Sequence, residues 1–168
     1  MNIALIAHDS RKKELLEWVE YNYLTLSKHK LFATGTTGRL IDELLVNVQD
    51  YDATTDTDYI HSIRPFKGKV TRLPSGPLGG DAAAGTMIAN GEIDVLIFFC
   101  DNLIVQGHNS DIQGLTRLAS LYNIAFATNR TTADMILTSP LFGDENYHRV
   151  VPAAIENYKN REVSQFVP

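Results

Sequence analysis

The chain has 168 residues, of which 44% are hydrophobic and 21% are charged, and this composition predicts one globular domain with its own core. The formal net charge of -5 argues against nucleic acid or an anionic membrane as the principal partner, because both bind dense Lys and Arg. The single Cys100 cannot form an internal disulfide, and the N-terminus reads as a strand rather than a basic leader, so we expect a cytoplasmic protein.

The first predicted unit is a strand, a polar turn and a helix. Asn2–Ala7 is a short aliphatic run, and His8, Asp9 and Ser10 follow it directly. Asp9 or Ser10 is a predicted helix N-cap, which would gather His8, Asp9 and Lys12 around one helix N-terminus. For Asp9, a capping role alone and a functional role are equally good interpretations. The apolar stripe of the helix is Leu15, Leu16, Val19, Tyr23 and Leu26.

The second unit contains a candidate anion site. A strand over residues 30–33 precedes a loop, residues 34–38, that reads T-G-T-T-G, and a helical pattern follows. Glycines and hydroxyl residues between a strand and a helix present amides and hydroxyls to an anion, and phosphate is the natural ligand. The loop lacks both the Walker ending and the three-glycine dinucleotide fingerprint. Taken alone, it therefore fits a helix cap and turn better than a phosphate site.

Residues 46–72 show no helical period, which predicts an excursion or an extra hairpin, closed by a strand near residues 70–73. Four aspartates lie between Asp50 and Asp58. They lack the glycine and the final glutamate of a calcium loop, so a solvated acidic loop is the better interpretation.

The next stretch is the centre of the predicted sheet. Residues 75–81 read S-G-P-L-G-G-D and supply tight turns with little side-chain bulk, so the backbone can come close to a bound molecule. Asp81 stands at the predicted start of a helix that ends at Asn90 and Gly91. Residues 93–99 are an almost unbroken apolar run, typical of a strand buried on both faces of a parallel sheet.

The remaining units follow the same order. Asp101 comes just after the central strand, and a polar loop carries His108 before a helix that we predict to begin at Asp111. For His108, an exposed loop histidine without a function is the alternative. A strand over residues 124–127, a turn over 128–132 and a helix over 133–138 come next, and a polar, partly extended tail ends the chain.

Five alternations of strand and helix predict an α/β fold: a single-domain, three-layer, doubly wound structure with a mostly parallel five-stranded sheet. The predicted domain spans residues 1–168, with an insertion within about 46–72 and a polar tail from about 143. The polar clusters all follow strand ends. In α/β proteins the carboxyl ends of the strands form the ligand site, so these clusters are expected to meet there.

Six motifs, in order from Asn2 to about Phe142, resemble methylglyoxal synthase: A-L-I-A-H-D with Lys12 after it, A-T-G-T-T-G, S-G-P-L-G-G-D, I-D-V-L-I-F-F-x-D, H-x-x-D and A-T-N-x-x-T-A-D. The resemblance implies a lyase that removes phosphate from dihydroxyacetone phosphate to give methylglyoxal. It also implies no cofactor and no metal, a homohexamer, and inorganic phosphate as product and inhibitor.

The resemblance assigns roles residue by residue. Asp81 is the implied catalytic base and His108 lies at the substrate oxygens, with Asp9, Asp101 and Asp111 as surrounding acids. The implied substrate and phosphate ligands are His8, Lys12, Thr34, Gly35, Thr36, Thr37, Ser75 and Gly76, with Arg161 as a match to an arginine that reaches a neighbouring subunit's phosphate.

The chain also departs from the family pattern. Ala82 and Ala83 replace two glutamines after Asp81, Asn102 replaces a proline, and Asn109-Ser110 replaces an acid-proline pair. These changes leave the reactive groups intact and concern rate, substrate range and regulation.

Two other function classes fit a domain of this kind. A non-catalytic regulatory domain that binds a phosphate-bearing metabolite, like the effector domain of carbamoyl phosphate synthetase, is the competing hypothesis. The presence of Asp81, His108 and Asp111 favours the enzyme. A phosphoacceptor receiver domain is set aside because it needs a lysine after its last strand, where this chain reads T-N-R-T-T.

Overall fold

The computed structural model describes residues 1–103 and 109–161, with only the backbone at residues 109–111. The strands are β1 (Asn2–Ala7), β2 (Lys30–Thr34), β3 (Val46–Asp52), β4 (Thr57–Ile63), β5 (Val70–Leu73), β6 (Val95–Phe99) and β7 (Ala125–Ala127). The helices are α1 (Lys12–Tyr21), α2 (Tyr23–Leu26), α3 (Gly35–Asp42), α4 (Gly80–Ala89), α5 (Asn109–Leu121), α6 (Arg130–Thr138) and α7 (Ala153–Lys159), with short 3-10 turns at Asp9–Arg11 and Gly76–Leu78.

Five strands form the main sheet in the order β5-β2-β1-β6-β7, and every neighbouring pair is parallel. The chain fills one side of β1 first and then crosses to the other side, so the strand order reverses between β1 and β6. Such a reversal opens a crevice at the carboxyl ends of the two strands, where α/β proteins bind ligands. The predicted doubly wound α/β fold is confirmed.

Helices cover both faces of this sheet and make two separate cores. On β1, Ile3 and Leu5 face one core while Ala4 and Ile6 face the other, as the two-residue period of a strand requires. Helices α1, α3 and α6 supply the first core with Leu15, Ile41 and Ala133, and α4 and α5 supply the second with Ile88 and Leu115. All of β6 is buried, as predicted for a central strand.

Two residues of the family-like motif A-T-N-x-x-T-A-D, Asn129 and Asp134, have structural roles. Asn129 caps α6 by accepting a hydrogen bond from the N–H of Thr132 (2.9 Å), so the helix begins at Arg130 rather than at the predicted residue 133. Asp134 accepts a hydrogen bond from Nε1 of the fully buried Trp18 (2.7 Å). This bond ties α6 to α1 and satisfies a donor that would otherwise be buried without a partner.

One further prediction needs correction. Residues 34–38 are not a loop, because β2 runs to Thr34 and α3 begins at the next residue, Gly35. The polar tail from about residue 143, predicted to be partly extended, also contains α7, which buries Ile155. The tail is also anchored to the domain by a hydrogen bond from Nη1 of Arg149 to the carbonyl oxygen of Ile93 (3.0 Å). That residues 1–168 form one domain stays a prediction.

Strands β3 and β4 form an antiparallel hairpin outside the main sheet, which confirms the extra hairpin predicted within residues 46–72. Val46 pairs with Ile63 at its base and Asp52 with Thr57 at its tip. Only Val46 is buried in these two strands. Among the described helices of the whole chain, none has the length and apolar composition to cross a bilayer.

Candidate active site

Polar residues that follow β1, β2 and β5 meet around one cavity of about 280 Å³. This volume is at the small end of the range for ligand pockets, which suits a metabolite of a few carbons. The cavity is lined by Ile6, Ala7, His8, Asp9, Lys12, Thr34, Thr36, Thr37, Ser75, Gly76, Pro77, Asp81, Phe98 and Ile112. Three of the four strand-end clusters predicted from the sequence therefore converge at the carboxyl end of the sheet, and the fourth, residues 101–111, is described only in part.

His8 lies at the end of β1 with its tautomer fixed by the backbone. Its N–H donates to the carbonyl oxygen of Phe99 (3.2 Å), and its Nδ1 accepts a hydrogen bond from the N–H of Asp101 (2.8 Å). A ring nitrogen that accepts carries no proton, so in the neutral imidazole the proton is on Nε2. His8 thus offers a hydrogen-bond donor to the cavity that it lines.

Asp101 supports this arrangement from outside the cavity lining. Its Oδ2 accepts from Oγ of Ser10 (2.5 Å) and its Oδ1 accepts from the N–H of Leu103 (3.0 Å). Both carboxylate oxygens therefore have donors. Ser10 does not serve as a helix cap, because its hydroxyl is used here. Sequence reasoning assigned Ser10 no role in the site, and its place in the turn beside His8 was the only available signal.

Asp9 pairs with Lys12, three residues further along the chain, and does not cap the helix. The carboxylate of Asp9 is 93% exposed, whereas the side chain of Lys12 is 20% exposed. The hydrogen bond from Lys12 and its positive charge hold the pKa of Asp9 below its ordinary value. The pair is therefore kept at neutral pH and lost only in acid, as pH falls through that lowered pKa.

The N-terminus of α3 has no side-chain cap. Thr34 is the N-cap residue, yet its side chain accepts no hydrogen bond from the helix. The amides of a first helical turn have no partner inside the helix, and the helix dipole favours negative charge there. Thr37, in this turn, is 2% exposed, and its buried Oγ1 has no hydrogen-bond partner among the described residues. A phosphate oxygen in the cavity would satisfy that hydroxyl.

Two glycines allow the chain after β2 and the chain after β5 to come into contact. A Cβ on Gly35 would lie 2.2 Å from Oγ of Ser75, and a Cβ on Gly80 would lie 2.2 Å from the carbonyl oxygen of Pro74. Neither position has space for a side chain. The N–H of Gly35 donates to the same Pro74 oxygen (3.2 Å), so the start of α3 is bonded to the turn that leads into α4.

Asp81 lies in the first turn of α4, beside that turn. Gly79 precedes the helix with φ of 92°, a conformation that glycine adopts without strain. A Cβ on Gly76 would lie 3.3 Å from Oδ2 of Asp81, so the missing side chain leaves room for the carboxylate. Asp81 lines the cavity, as does Asp9, whereas Asp101 does not. The two alanines after it, Ala82 and Ala83, line no part of this cavity.

Five predicted site residues are not among the described residues that line the cavity: Gly35, Asp101, His108, Asp111 and Arg161. His108 lies outside the described residues, as does the side chain of Asp111, although the next residue, Ile112, lines the cavity. Arg161 is absent from the cavity of its own chain, and its guanidinium lies 3.8 Å from the ring centre of Tyr158. Sequence reasoning missed the apolar lining outside the turns, Ile6, Ala7, Phe98 and Ile112, because these residues have the pattern of ordinary core positions.

Cys100, between β6 and Asp101, is buried and chemically quiet. Burial raises the pKa of its thiol from 9.0 to about 11, although the charge of Arg11 opposes the shift. Only the thiolate reacts, so we expect a thiol reagent at pH 8 to modify the native protein about 100-fold more slowly than the unfolded chain. Stopped-flow absorbance with and without guanidinium measures the two rates. Equal rates would contradict the burial of this thiol.

Comparison with known proteins bears on this geometry. A family model described as "MGS-like domain" matches residues 14–128. A methylglyoxal synthase from Maridesulfovibrio salexigens is 47% identical over 144 residues, which cover 86% of this chain and 87% of that protein. The chain belongs to the methylglyoxal synthase family. The resemblance seen in its motifs is thereby confirmed.

Other members of the methylglyoxal synthase family match as fully. The Coxiella burnetii methylglyoxal synthase is 45% identical over 159 residues, 95% of each chain. The crystal structure of methylglyoxal synthase from Elizabethkingia anophelis superposes with a TM-score of 0.73 at 38% identity, covering 96% of this chain and 91% of that one. The α/β architecture described above is therefore that of a solved family member.

Proposed function

We propose that this chain is a carbon–oxygen lyase that converts dihydroxyacetone phosphate into methylglyoxal and inorganic phosphate. Relatives that match over most of its length are methylglyoxal synthases. One observation about the site carries the proposal: a single small cavity joins the carboxylate of Asp81 to the uncapped N-terminus of α3. The first group can take a proton from carbon, and the second can hold a leaving phosphate.

The phosphate of the substrate binds at the start of α3. Free amides of the first turn and the hydroxyls of Thr34, Thr36 and Thr37 donate to its oxygens, and the ammonium of Lys12 balances its charge. The neighbouring turn supplies Ser75 and Gly76. The unpartnered hydroxyl of Thr37 supports this binding mode, because a buried donor without an acceptor is unfavourable in the empty site.

Asp81 removes a proton from the hydroxymethyl carbon beside the carbonyl. The electron pair of the broken C–H bond moves toward the carbonyl oxygen and gives an enediolate. Hydrogen-bond donors stabilise the oxygens where this charge develops, and His8 supplies one through Nε2–H. His108 is proposed as the second donor on the strength of the family resemblance.

The enediolate then expels phosphate. The hydroxyl oxygen on the former hydroxymethyl carbon forms a C=O bond while its proton passes to the enediolate oxygen, the C=C bond shifts toward the third carbon, and that carbon's bond to the phosphate oxygen breaks. The products are the enol of methylglyoxal, which tautomerises to the ketone, and phosphate, which takes up the proton lost from carbon. No electrons are gained or lost overall, so the step needs no oxidant or reductant.

An assay with purified protein tests the proposal. Dihydroxyacetone phosphate should yield methylglyoxal and phosphate in equal amounts, without added metal and in the presence of a chelator. A colorimetric assay of the aldehyde and phosphorus NMR follow the two products. Tight phosphate binding with no product at high enzyme concentration would contradict the proposal and support a non-catalytic regulatory domain.

Thr37→Val should have opposite effects on protein stability and on phosphate affinity. The isosteric change removes a buried hydroxyl that lacks a partner, so the free energy of unfolding of the free protein should rise by about 1 kcal/mol. Phosphate affinity should fall about tenfold, since a hydrogen bond to a charged group is lost. Thr138→Val in α6 is the control: this residue lies away from the cavity and its hydroxyl donates to the carbonyl oxygen of Asp134 (2.8 Å), so neither stability nor phosphate affinity should change in the way expected for Thr37→Val. Calorimetric titration and thermal unfolding measure both effects, and unchanged phosphate affinity would count against the site.

Three further points belong to the proposal. Inorganic phosphate should inhibit by competing at the start of α3. The protein should assemble as a homohexamer in which Arg161 of one subunit reaches the phosphate of another, which native mass spectrometry and Arg161→Ala test together. The cytoplasm is the proposed location, because a chain with a single Cys100 needs no oxidising compartment for disulfides.

A further inference from the structure

The hairpin of residues 46–63, here called the arm, has little support from the rest of the described chain. It forms a two-stranded sheet of its own, and neither outer edge pairs with another described strand. Of its two strands only Val46 is buried. Two-stranded hairpins are marginally stable in water without packing on another layer, so the arm lacks the second layer that such a structure needs.

The arm exposes apolar side chains, two of which share one face. Ile60 is 72% exposed and Tyr51 is 59% exposed. Gln49 lies opposite Ile60 and Tyr51 opposite Asp58, so Tyr51 and Ile60 are diagonal neighbours on the same face. They form an exposed apolar pair on an element that contributes almost nothing to the core.

Charge is separated along the arm. Asp50, Asp52, Asp56 and Asp58 lie toward its tip, and the segment that follows its base carries Arg64, Lys67, Lys69 and Arg72. All four basic residues are exposed, and none forms an ion pair within the described part of the chain. Seven residues of strand span roughly 20 Å, so the acidic tip is too distant to neutralise the basic segment of its own chain.

We propose that the arm is a self-association surface for a second copy of this chain. Two arms pack antiparallel about a two-fold axis, with Tyr51 and Ile60 at the centre, and the acidic tip of each lies on the basic segment, residues 64–72, of the other. A two-fold contact requires a surface that complements itself, and an element acidic at one end and basic at the other has that property. The inference is independent of the lyase activity, because no arm residue lines the cavity.

A second copy of the chain explains the acidic side chains at the tip better than a metal ion does. Among the described residues, no group of three or more His, Cys, Asp or Glu side chains is arranged to hold a metal ion. Asp52 accepts hydrogen bonds from the N–H and hydroxyl of Thr54 (2.8 and 2.6 Å), and Asp56 accepts one from the hydroxyl of Tyr51. Those carboxylates stabilise the turn. Asp50 lies 3.6 Å from Nδ1 of His61 but is still 52% exposed, so Asp50 and Asp58 are both accessible to a partner.

Charge reversal in the full-length protein tests the contact. Asp50→Lys with Asp58→Lys makes the tip basic and leaves the turn intact, and Lys67→Glu with Lys69→Glu makes the basic segment acidic. Each double variant alone should weaken the arm contact at least tenfold, seen in sedimentation equilibrium as a smaller assembly. Mixed in equal amounts, the two variants should associate with each other, since acid then meets base again. High salt should weaken the wild-type contact by screening.

A second pair of variants tests the apolar centre. Ile60→Lys should also weaken association tenfold or more, whereas Met135→Lys, at a residue of similar exposure (68%) on α6, should not. Unchanged circular dichroism shows that each variant is folded. Wild-type protein that stays monomeric, charge variants that keep the wild-type mass, or a mixture that associates no better than its components would each overturn the proposal.

Discussion

Asp81→Asn should lower the turnover of dihydroxyacetone phosphate at least 100-fold, because positioned acid–base groups contribute about 10²–10⁴-fold to such rates. The amide has the shape of the carboxylate but cannot accept the proton. Folding and phosphate binding should survive, since the start of α3 is unchanged. Exchange of the reactive hydrogen of the substrate with deuterated solvent, followed by proton NMR, should stop as well.

Asp101 and Asp9, the two other predicted catalytic acids with described side chains, are poorer candidates for the base. Both oxygens of Asp101 accept hydrogen bonds from protein donors, and this residue does not line the cavity. Asp9 is paired with Lys12, which lowers its pKa and makes it a weaker base. Asp101→Asn and Asp9→Asn are therefore the comparison variants, with smaller expected losses. If Asp81→Asn keeps more than roughly a tenth of wild-type turnover, the base lies elsewhere, with Asp101 next in line.

Lys12→Met should weaken the binding of substrate and of inhibitory phosphate about tenfold or more. The ammonium lines the cavity, and a charge-assisted hydrogen bond to phosphate is worth about 1.5–3 kcal/mol. Methionine keeps most of the apolar stem, so packing is little disturbed. Initial-rate kinetics give KM and the phosphate inhibition constant, and KM should change more than kcat.

The adjacent lysine provides the control for this experiment. The side chain of Lys13 is 89% exposed and pairs loosely with Glu17 (3.9 Å), so Lys13→Met removes the same charge outside the cavity. Both affinities of Lys13→Met should stay near wild type. If Lys12→Met shifts them by less than about twofold, well below the ~1.4 kcal/mol of a tenfold change, Lys12 is not a phosphate ligand.

Much of the fold follows from the sequence because buried parallel strands have a strong local signature. Residues 93–99 are apolar almost throughout, and the structure buries all of β6 within them. The topology then brings residues together that lie far apart in the chain, so clusters after the ends of β1, β2 and β5 predict one cavity. The position of the candidate site can be predicted from the sequence for that reason.

Helix starts were harder to predict because a capping residue has other possible partners. Asp9 and Ser10 have the chemistry of N-caps, but Lys12 and Asp101 engage them instead. The Asp101 contact is tertiary and leaves no local trace. At α3, glycine and threonine suggested a loop, although glycine is tolerated where a strand runs directly into a helix.

Two other features lay beyond a local pattern. α7 is a short helix whose one buried residue, Ile155, gives no period to detect. The apolar side of the cavity is built from residues such as Phe98, which differ from core residues only through the space beside them. Such space is a property of the packed structure and is absent from a linear pattern.

The backbone contact between Gly35 and the Pro74–Ser75 turn is expected to determine the length of substrate that the candidate site accepts. The start of α3, proposed to hold phosphate, and the start of α4, which carries Asp81, both contact that turn too closely for any side chain. The spacing between the two groups is therefore set by main chain and cannot relax to suit the ligand. A phosphate ester with one carbon fewer or more would place its acidic C–H bond out of reach of Asp81. Because a misplacement of about 1 Å can cost about 10²-fold in rate, we expect this fixed spacing to favour three-carbon substrates.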